Sequence, residues 1–145
     1  MDMTVKRTAA IIEPVAADFP PKIWESHTAH FEARWDGTGL VLAVHGEIDA
    51  ANAAEITQCV RDGVADCQWV VLDLEGVEFM GTAGFAALHD IDTDLVDGVS
   101  WALVPSAAVS RLLRICDPHG TLPSQQSVAE ALAYVRDTRV LRLLG

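Results

Sequence analysis

Two short stretches hold the residues best suited to chemistry: "GEID" at Gly46–Asp49 and "EFMGTAG" at Glu78–Gly84. Each follows an apolar run, and the second sets a single hydroxyl, Thr82, among glycine and alanine. A hydroxyl where a strand gives way to a helix has two uses. It caps the helix by accepting a backbone N–H, or it carries a phosphate that the unpaired N–H groups of the first turn tolerate. Carboxylates also come in pairs, Glu47 with Asp49 and Asp73 with Glu75. Acid–base catalysis by such pairs needs a concave site that shifts their pKa values, which spacing alone does not provide. The histidines add little catalytic signal. His27 and His30 stand three apart without an acid or thiol placed beside them, and they read as surface residues. His45 ends an alternating run, and His119 sits in a "DPHG" turn. His89, seven residues past Thr82, reaches the surface beside the same helix. No G-x-G-x-x-G, G-x-x-x-x-G-K-[ST] or G-x-S-x-G occurs, and "GTAG" lacks a lysine to hold a nucleotide phosphate. The reading is a non-enzyme with no cofactor and no metal.

Composition narrows the partners. The chain has 145 residues, half of them hydrophobic, which suits one packed domain. Its net charge of −11 argues against nucleic acid and against anionic membrane surfaces. The charge is unevenly spread: no Lys or Arg stands between Arg61 and Arg111, while Asp62, Asp66, Asp73, Glu75, Glu78, Asp90, Asp92, Asp94 and Asp97 all do. The surface near Thr82 is therefore expected to be acidic, either a solvated face or one suited to a basic partner. No apolar run reaches the roughly 18 residues that cross a bilayer, and the first residues lack a secretory apolar core. A cytoplasmic protein without membrane insertion is expected. Cys59, Cys67 and Cys116 are odd in number and lie in apolar surroundings, as buried reduced thiols do.

Hydrophobic periodicity supplies the elements that position these stretches. Residues 1–27 hold Pro14, Pro20 and Pro21 with little periodicity and read as an extension, with one packed segment at Ile11–Ile12 or Ile23–Trp24; the domain is then 28–145. Phe31, Ala33 and Trp35 alternate, "DGTG" turns, and Leu40, Leu42 and Val44 alternate again, which predicts a hairpin. Asn52-x-x-Glu55 has the form of a capping box before Ile56, Cys59 and Val60 at helical spacing, with Gly63 as the stop. "WVVLDL" is an apolar run broken only by Asp73, typical of a strand covered on both faces, and "VSWALVP" reads as another buried strand, ended by Pro105. Gly84, Leu88, Ile91 and Leu95 share one helical face after Thr82. Ser106 caps a helix with core residues Val109, Leu112, Leu113 and Cys116. A short strand is placed at Thr121–Leu122, and Ser127-x-x-Glu130 opens a last helix through Ala131, Leu132 and Val135. Arg136, Arg139 and Arg142 are placed near its carboxyl end, where they suit the helix dipole. The sum is a single α/β domain: a mixed central sheet with an N-terminal β-hairpin and parallel core strands, flanked by about four helices. Sites in such sheets lie beyond the carboxyl ends of the strands, where "EFMGTAG" falls.

"VHGEIDAANAAEI" followed by "VVLDLEGVEFMGTAGFAAL" closely resembles the STAS family, the bacterial anti-sigma factor antagonists. Members carry a "GELD" segment before the first helix and a later "DLSGVxFxDSSGL", whose serine after the aspartate is phosphorylated. The resemblance covers about residues 30–137, including "VPSAAVSRLLRICDPHGTLP", and leaves the N-terminal extension outside. It implies a STAS-like fold. It also implies a partner, an anti-sigma factor of the ATP-using serine/threonine kinase type, whose binding phosphorylation ends. Carried across, the phosphoacceptor falls on Thr82, the preceding aspartate on Gly81, the following small residue on Ala83, the glycine on Gly84 and the leucine on Phe85. The "GELD" acid falls on Asp49, and His89 joins the expected partner-binding set. Gly81 departs from the pattern, because it removes a carboxylate beside the acceptor. Threonine for serine keeps the hydroxyl and stiffens χ1. Two other readings stand beside this one. The first is a STAS adaptor, not phosphorylated, that regulates a transporter or signalling assembly. The second is a small-molecule or nucleotide sensor using the "GEID" and "MGTAG" ends. A homodimer is an assembly compatible with each.

Overall fold

In the computed structural model, residues 21–95 and 98–144 are described, with side chains through Asp137. Five strands form one sheet in the order β1-β2-β3-β4-β5: Lys22–Ser26, Ala29–Asp36, Gly39–Ile48, Trp69–Met80 and Ser100–Pro105. The first three pair antiparallel, and β3, β4 and β5 run parallel. Helices α1 (Ala53–Gly63), α2 (Thr82–Asp94), α3 (Ala107–Cys116) and α4 (Val128–Leu144) complete the domain. This is the mixed α/β sheet with four helices expected from the periodicity.

Ile23–Trp24, assigned to the extension, lies in β1, where Trp24 stacks on Phe31 with ring centroids 5.2 Å apart. The boundary at residue 28 therefore falls inside the first antiparallel pair; Ile11–Ile12 lies outside the described residues. The expected hairpin is β2–β3. Asp36 pairs with Gly39, leaving a two-residue loop in which Gly37 takes a φ of 64° that few side chains adopt.

The sheet's two faces are packed differently. On one, Phe31, Leu40, Leu42, Val44, Leu72 and Leu103 meet Ile56 and Val60 of α1, Leu88 and Ile91 of α2, and Val109 and Leu113 of α3. On the other, α4 lays Ala131 and Val135 against Trp69, Val71, Ala102 and Val104. The first half of β4 and most of β5 are thus covered on both sides, which accounts for the apolar runs Trp69–Leu72 and Trp101–Pro105. The Arg136 guanidinium lies 5.6 Å from the centre of the Trp69 ring and 3.7 Å from the Asp36 carboxylate, locking α4 to the sheet. Because α4 runs on to Leu144, Arg136 sits mid-helix and not at the carboxyl end; the side chains of Arg139 and Arg142 lie outside the described residues.

Local capping follows the sequence in part. Ser106 accepts from the Val109 N–H at 3.1 Å. Ser127 accepts from the Glu130 N–H at 3.1 Å, while Glu130 accepts from Gln126. The strand expected at Thr121–Leu122 is instead a single bridge from Leu103 to Ser124, because Asp117 holds the Thr121 and Leu122 amides in a turn. The three cysteines are free, but half-buried and not buried. Desolvation, then the Glu55 carboxylate, pushes the Cys59 thiol up to about 12, leaving it protonated and unreactive near neutral pH.

Candidate functional site

The two sequence stretches meet at the carboxyl ends of β3 and β4. Ile48 pairs with Met80, and the Gly81 N–H donates to the Ile48 carbonyl at 3.0 Å, so "GEID" and "MGTAG" form one corner. Asn52 holds the first of them. It heads α1 but makes no side-chain cap bond, contrary to the expected capping box. Its side chain is fully buried and turns back: Oδ1 accepts from the Asp49 N–H at 2.9 Å, and Nδ2 donates to the Glu47 and Ser26 carbonyls at 3.0 and 3.3 Å. The ends of β1 and β3 are tied to one amide in this way. Asp49 itself is exposed and accepts from the Ala51 N–H at 2.9 Å. Asn52→Ala is expected to strand these buried backbone groups and to cost about 2–3 kcal/mol by urea unfolding.

The second stretch departs from simple alternation. Between Ala43 and His45, and again between Gly46 and Glu47, β4 gains one residue over β3. These bulges shift the facing of every later side chain. Val77 and Met80 are buried, while Glu78 and Phe79 are turned out, Phe79 being 52% exposed. The sequence reading missed Phe79 because period-two alternation cannot foresee a bulge; the glycine at Gly76, where the His45 ring occupies the space of a Cβ, was the available signal.

Thr82 is the first residue of α2 and Gly81 is its N-cap, so Thr82 is not the cap that one sequence reading allowed. No side-chain hydrogen bond caps this end, and Thr82 is exposed. Its hydroxyl is therefore open to solvent beside free backbone N–H groups. Gly84 is buried, and a Cβ there would come within 2.3 Å of Met80 Cγ and 3.2 Å of Ile48 Cγ2. That glycine lets α2 approach the sheet closely. Gly81 has no such duty. Its φ of −86° and ψ of −179° suit any residue, and a Cβ would meet nothing nearer than the Phe79 ring at 3.7 Å.

Around Thr82 the surface is apolar at the centre and acidic at the edge. Phe85 is half-buried against the core and lies 6.3 Å, ring to ring, from the exposed His89 one turn on. Ala83 is half-buried beside it. Glu47, Asp49, Glu78 and Asp90 are exposed nearby in sequence and fold. Arg61, at the far end of this face, is engaged with Asp94 at 2.8 Å. The structure thus brings Asp49, Gly81, Thr82, Ala83 and Gly84 to one corner, with Phe85 and His89 continuing along α2. The carboxylate pair Asp73 and Glu75 lies lower on β4. Asp73 accepts the Glu75 N–H, and desolvation, then Asp73, raises the Glu75 carboxyl above its ordinary value. Among the described residues, no group of three or more His, Cys, Asp or Glu is placed to hold a metal, and no helix is long and apolar enough to cross a membrane.

Comparison with known proteins agrees with this geometry. The Osmosensory protein A of Mycobacterium tuberculosis is 37% identical over 102 residues, 67% of this chain, and the match spans 65% of that relative's length. The Anti-sigma-F factor antagonist RsfB of M. tuberculosis is 30% identical over 104 residues, covering 70% of this chain and 85% of the relative. A crystal structure of an anti-sigma factor antagonist from Mycobacterium paratuberculosis superposes with a TM-score of 0.69 at 28% identity, over 75% of this chain and 95% of that one. The sequence profile of the STAS domain matches residues 30–131, from the start of the β2–β3 hairpin into α4. With the sheet order, the β4–α2 corner and the profile in agreement, the chain belongs to the STAS domain family.

Proposed function

We propose that this protein is a non-enzymatic antagonist of an anti-sigma factor, that it docks a serine/threonine-kinase-type partner on the β4–α2 corner, and that phosphorylation of Thr82 ends the contact. The exposed first-turn hydroxyl of Thr82, flanked by Phe79 and Phe85 inside an acidic rim, is the observation that carries the reading. The aromatic rings offer apolar anchors, and the rim suits a basic partner surface. In the transfer, the Thr82 oxygen attacks the γ-phosphorus of ATP, ADP leaves, and a base on the kinase takes the hydroxyl proton. The product adds about −1.5 to −2 charges to a corner with no neighbouring Lys or Arg in sequence. Incubation with the cognate kinase and ATP, followed by mass spectrometric mapping, is expected to place phosphate on Thr82. No phosphate there, together with unchanged partner binding by Thr82→Glu, would overturn the reading.

Gly81 favours a second reading, an adaptor that binds the same way without phosphorylation, because it leaves no carboxylate beside the acceptor. Gly81→Asp separates the two. The extended backbone accepts aspartate without strain, and the new carboxylate caps α2. The variant is expected to gain roughly 0.5–1 kcal/mol in stability and, under the switch reading, to be phosphorylated faster at Thr82. Higher stability without any phosphate at Thr82 supports the adaptor.

A further inference from the structure

Strand β1 lies ahead of residue 30, where the match to the STAS profile begins, and it pairs with β2 alone at the edge of the sheet. Its hold on the domain is slight. Lys22, Ile23 and Glu25 are exposed, and Trp24 is the side chain that packs on the core, stacked on the fully buried Phe31 with the ring planes 7° apart. The turn that joins β1 to β2 is strained, since His27 takes a φ of 55°, a left-handed conformation that side chains rarely adopt. A short edge strand held by one ladder and one ring opens more readily than the core strands behind it.

The end of β1 is nonetheless wired into "GEID". The Ser26 carbonyl accepts from Asn52 Nδ2, whose other acceptor is the Glu47 carbonyl, and Asn52 Oδ1 accepts from the Asp49 N–H. In the adjoining turn, the Thr28 hydroxyl donates to the Glu47 carbonyl at 3.0 Å, and the Thr28 carbonyl accepts from the Glu47 N–H at 3.3 Å. Gly46, with a φ of 99°, presses so close that a Cβ there would stand 2.2 Å from the Thr28 carbonyl oxygen. Gly46, Glu47 and Asp49 are thus held by β1 and its turn, directly or through Asn52.

We propose that β1 is a clip on the candidate site: closed, it holds "GEID" in the shape that docks the partner, and lifted, it lets that segment loosen. When Trp24 leaves Phe31, the Ser26 carbonyl withdraws and water reaches the buried Asn52 amide, where it competes for the Glu47 carbonyl and the Asp49 N–H. The "MGTAG" half of the corner is held separately, by the packing of α2 through Gly84 on Met80 and Ile48. The regulatory consequence rests on the antagonist reading, while the clip itself does not.

Native-state hydrogen exchange of the full chain, followed by NMR in rising urea below the unfolding transition, tests the clip. The β1–β2 ladder amides and the Glu47 and Asp49 amides are expected to exchange through one shared opening, at lower free energy than Val71 and Leu103 in the core strands. Trp24→Ala is expected to speed exchange at Glu47 and Asp49 at least about tenfold while Val71 and Leu103 stay within about threefold, and Trp24→Phe, which keeps a ring on Phe31, is expected to stay near the parent. The ladder amides opening while Glu47 and Asp49 remain with Val71 and Leu103 would overturn the proposal, as would exchange of all these amides only by global unfolding. Under the antagonist reading, Trp24→Ala is also expected to weaken binding to the cognate kinase by about three- to tenfold, with recovery in Trp24→Phe. Parent-like affinity in a Trp24→Ala protein whose Asp49 amide exchanges freely would overturn the regulatory consequence. The exchange measurement needs no kinase, so its failure leaves the antagonist reading standing, and the reverse holds as well.

Discussion

Thr82→Glu weakens binding to the anti-sigma partner by about 100-fold, measured by titration calorimetry, while Thr82→Val stays within about threefold of the parent. The effect is electrostatic and local. A like-charge pair about 4 Å apart costs about 4 kcal/mol at the effective dielectric of a protein surface, and screening at an exposed position leaves roughly 2–3 kcal/mol. Glutamate puts one unit of charge inside the contact, where it repels a partner carboxylate facing Thr82; the basic part of the partner surface meets the outer rim of Glu47, Asp49 and Glu78, whose charge is the same in parent and variant. Valine keeps the shape and removes only the hydroxyl. The fold is expected to be untouched, because Thr82 is exposed and opens α2, where a carboxylate favours the positive end of the helix dipole by about 0.3–1 kcal/mol. Loss of binding with an unchanged or raised melting temperature is thus the signature of a charge switch. A glutamate variant that binds as tightly as the parent sinks it.

The second large effect lies two residues away and concerns stability. Gly84→Val is expected to cost about 3 kcal/mol in urea unfolding, a sizeable share of the 5–15 kcal/mol typical of a domain. A Cβ alone would stand 2.3 Å from Met80 Cγ and 3.2 Å from Ile48 Cγ2, and valine adds two methyl groups beyond it. Met80 is buried at the strand end and Ile48 is fully buried, so α2 must lift from the sheet. That displacement opens the β4–α2 corner itself, and partner binding is expected to fall along with stability. The contrast with Gly81 is instructive: two glycines three residues apart in "GTAG" have opposite tolerance, one set by helix–sheet contact and the other free of contact. If Gly84→Val unfolds at the parent's urea midpoint, the close approach is not what that glycine serves.

Much of the architecture is written in local pattern. Largely apolar runs at Trp69–Leu74 and Val99–Pro105 give strands covered on both faces, helical spacing gives the α1, α2 and α3 faces, and Ser106 and Ser127 mark helix starts by their own hydroxyl chemistry. The position of Thr82 at a strand-to-helix corner follows from the same signals. What the pattern could not reach depends on partners distant in sequence. Ile23 and Trp24 join the sheet only because β2 offers them a free edge and Phe31 a ring to stack on. Asn52 looked like a cap and became a clamp, since burial beneath the ends of β1 and β3 makes the Asp49 amide and the Glu47 and Ser26 carbonyls nearer claimants on its side chain than its own helix. Phe79 faces outward because two bulges pair β4 out of step with β3, and Gly76 marks only the first of them in the sequence. The sequence by itself determined the family, the order of elements and the hydroxyl at the corner. Tertiary packing alone decided that Gly81 and not Thr82 caps α2 and that an aromatic ring stands beside it, because each arises where separate segments come to share the same space.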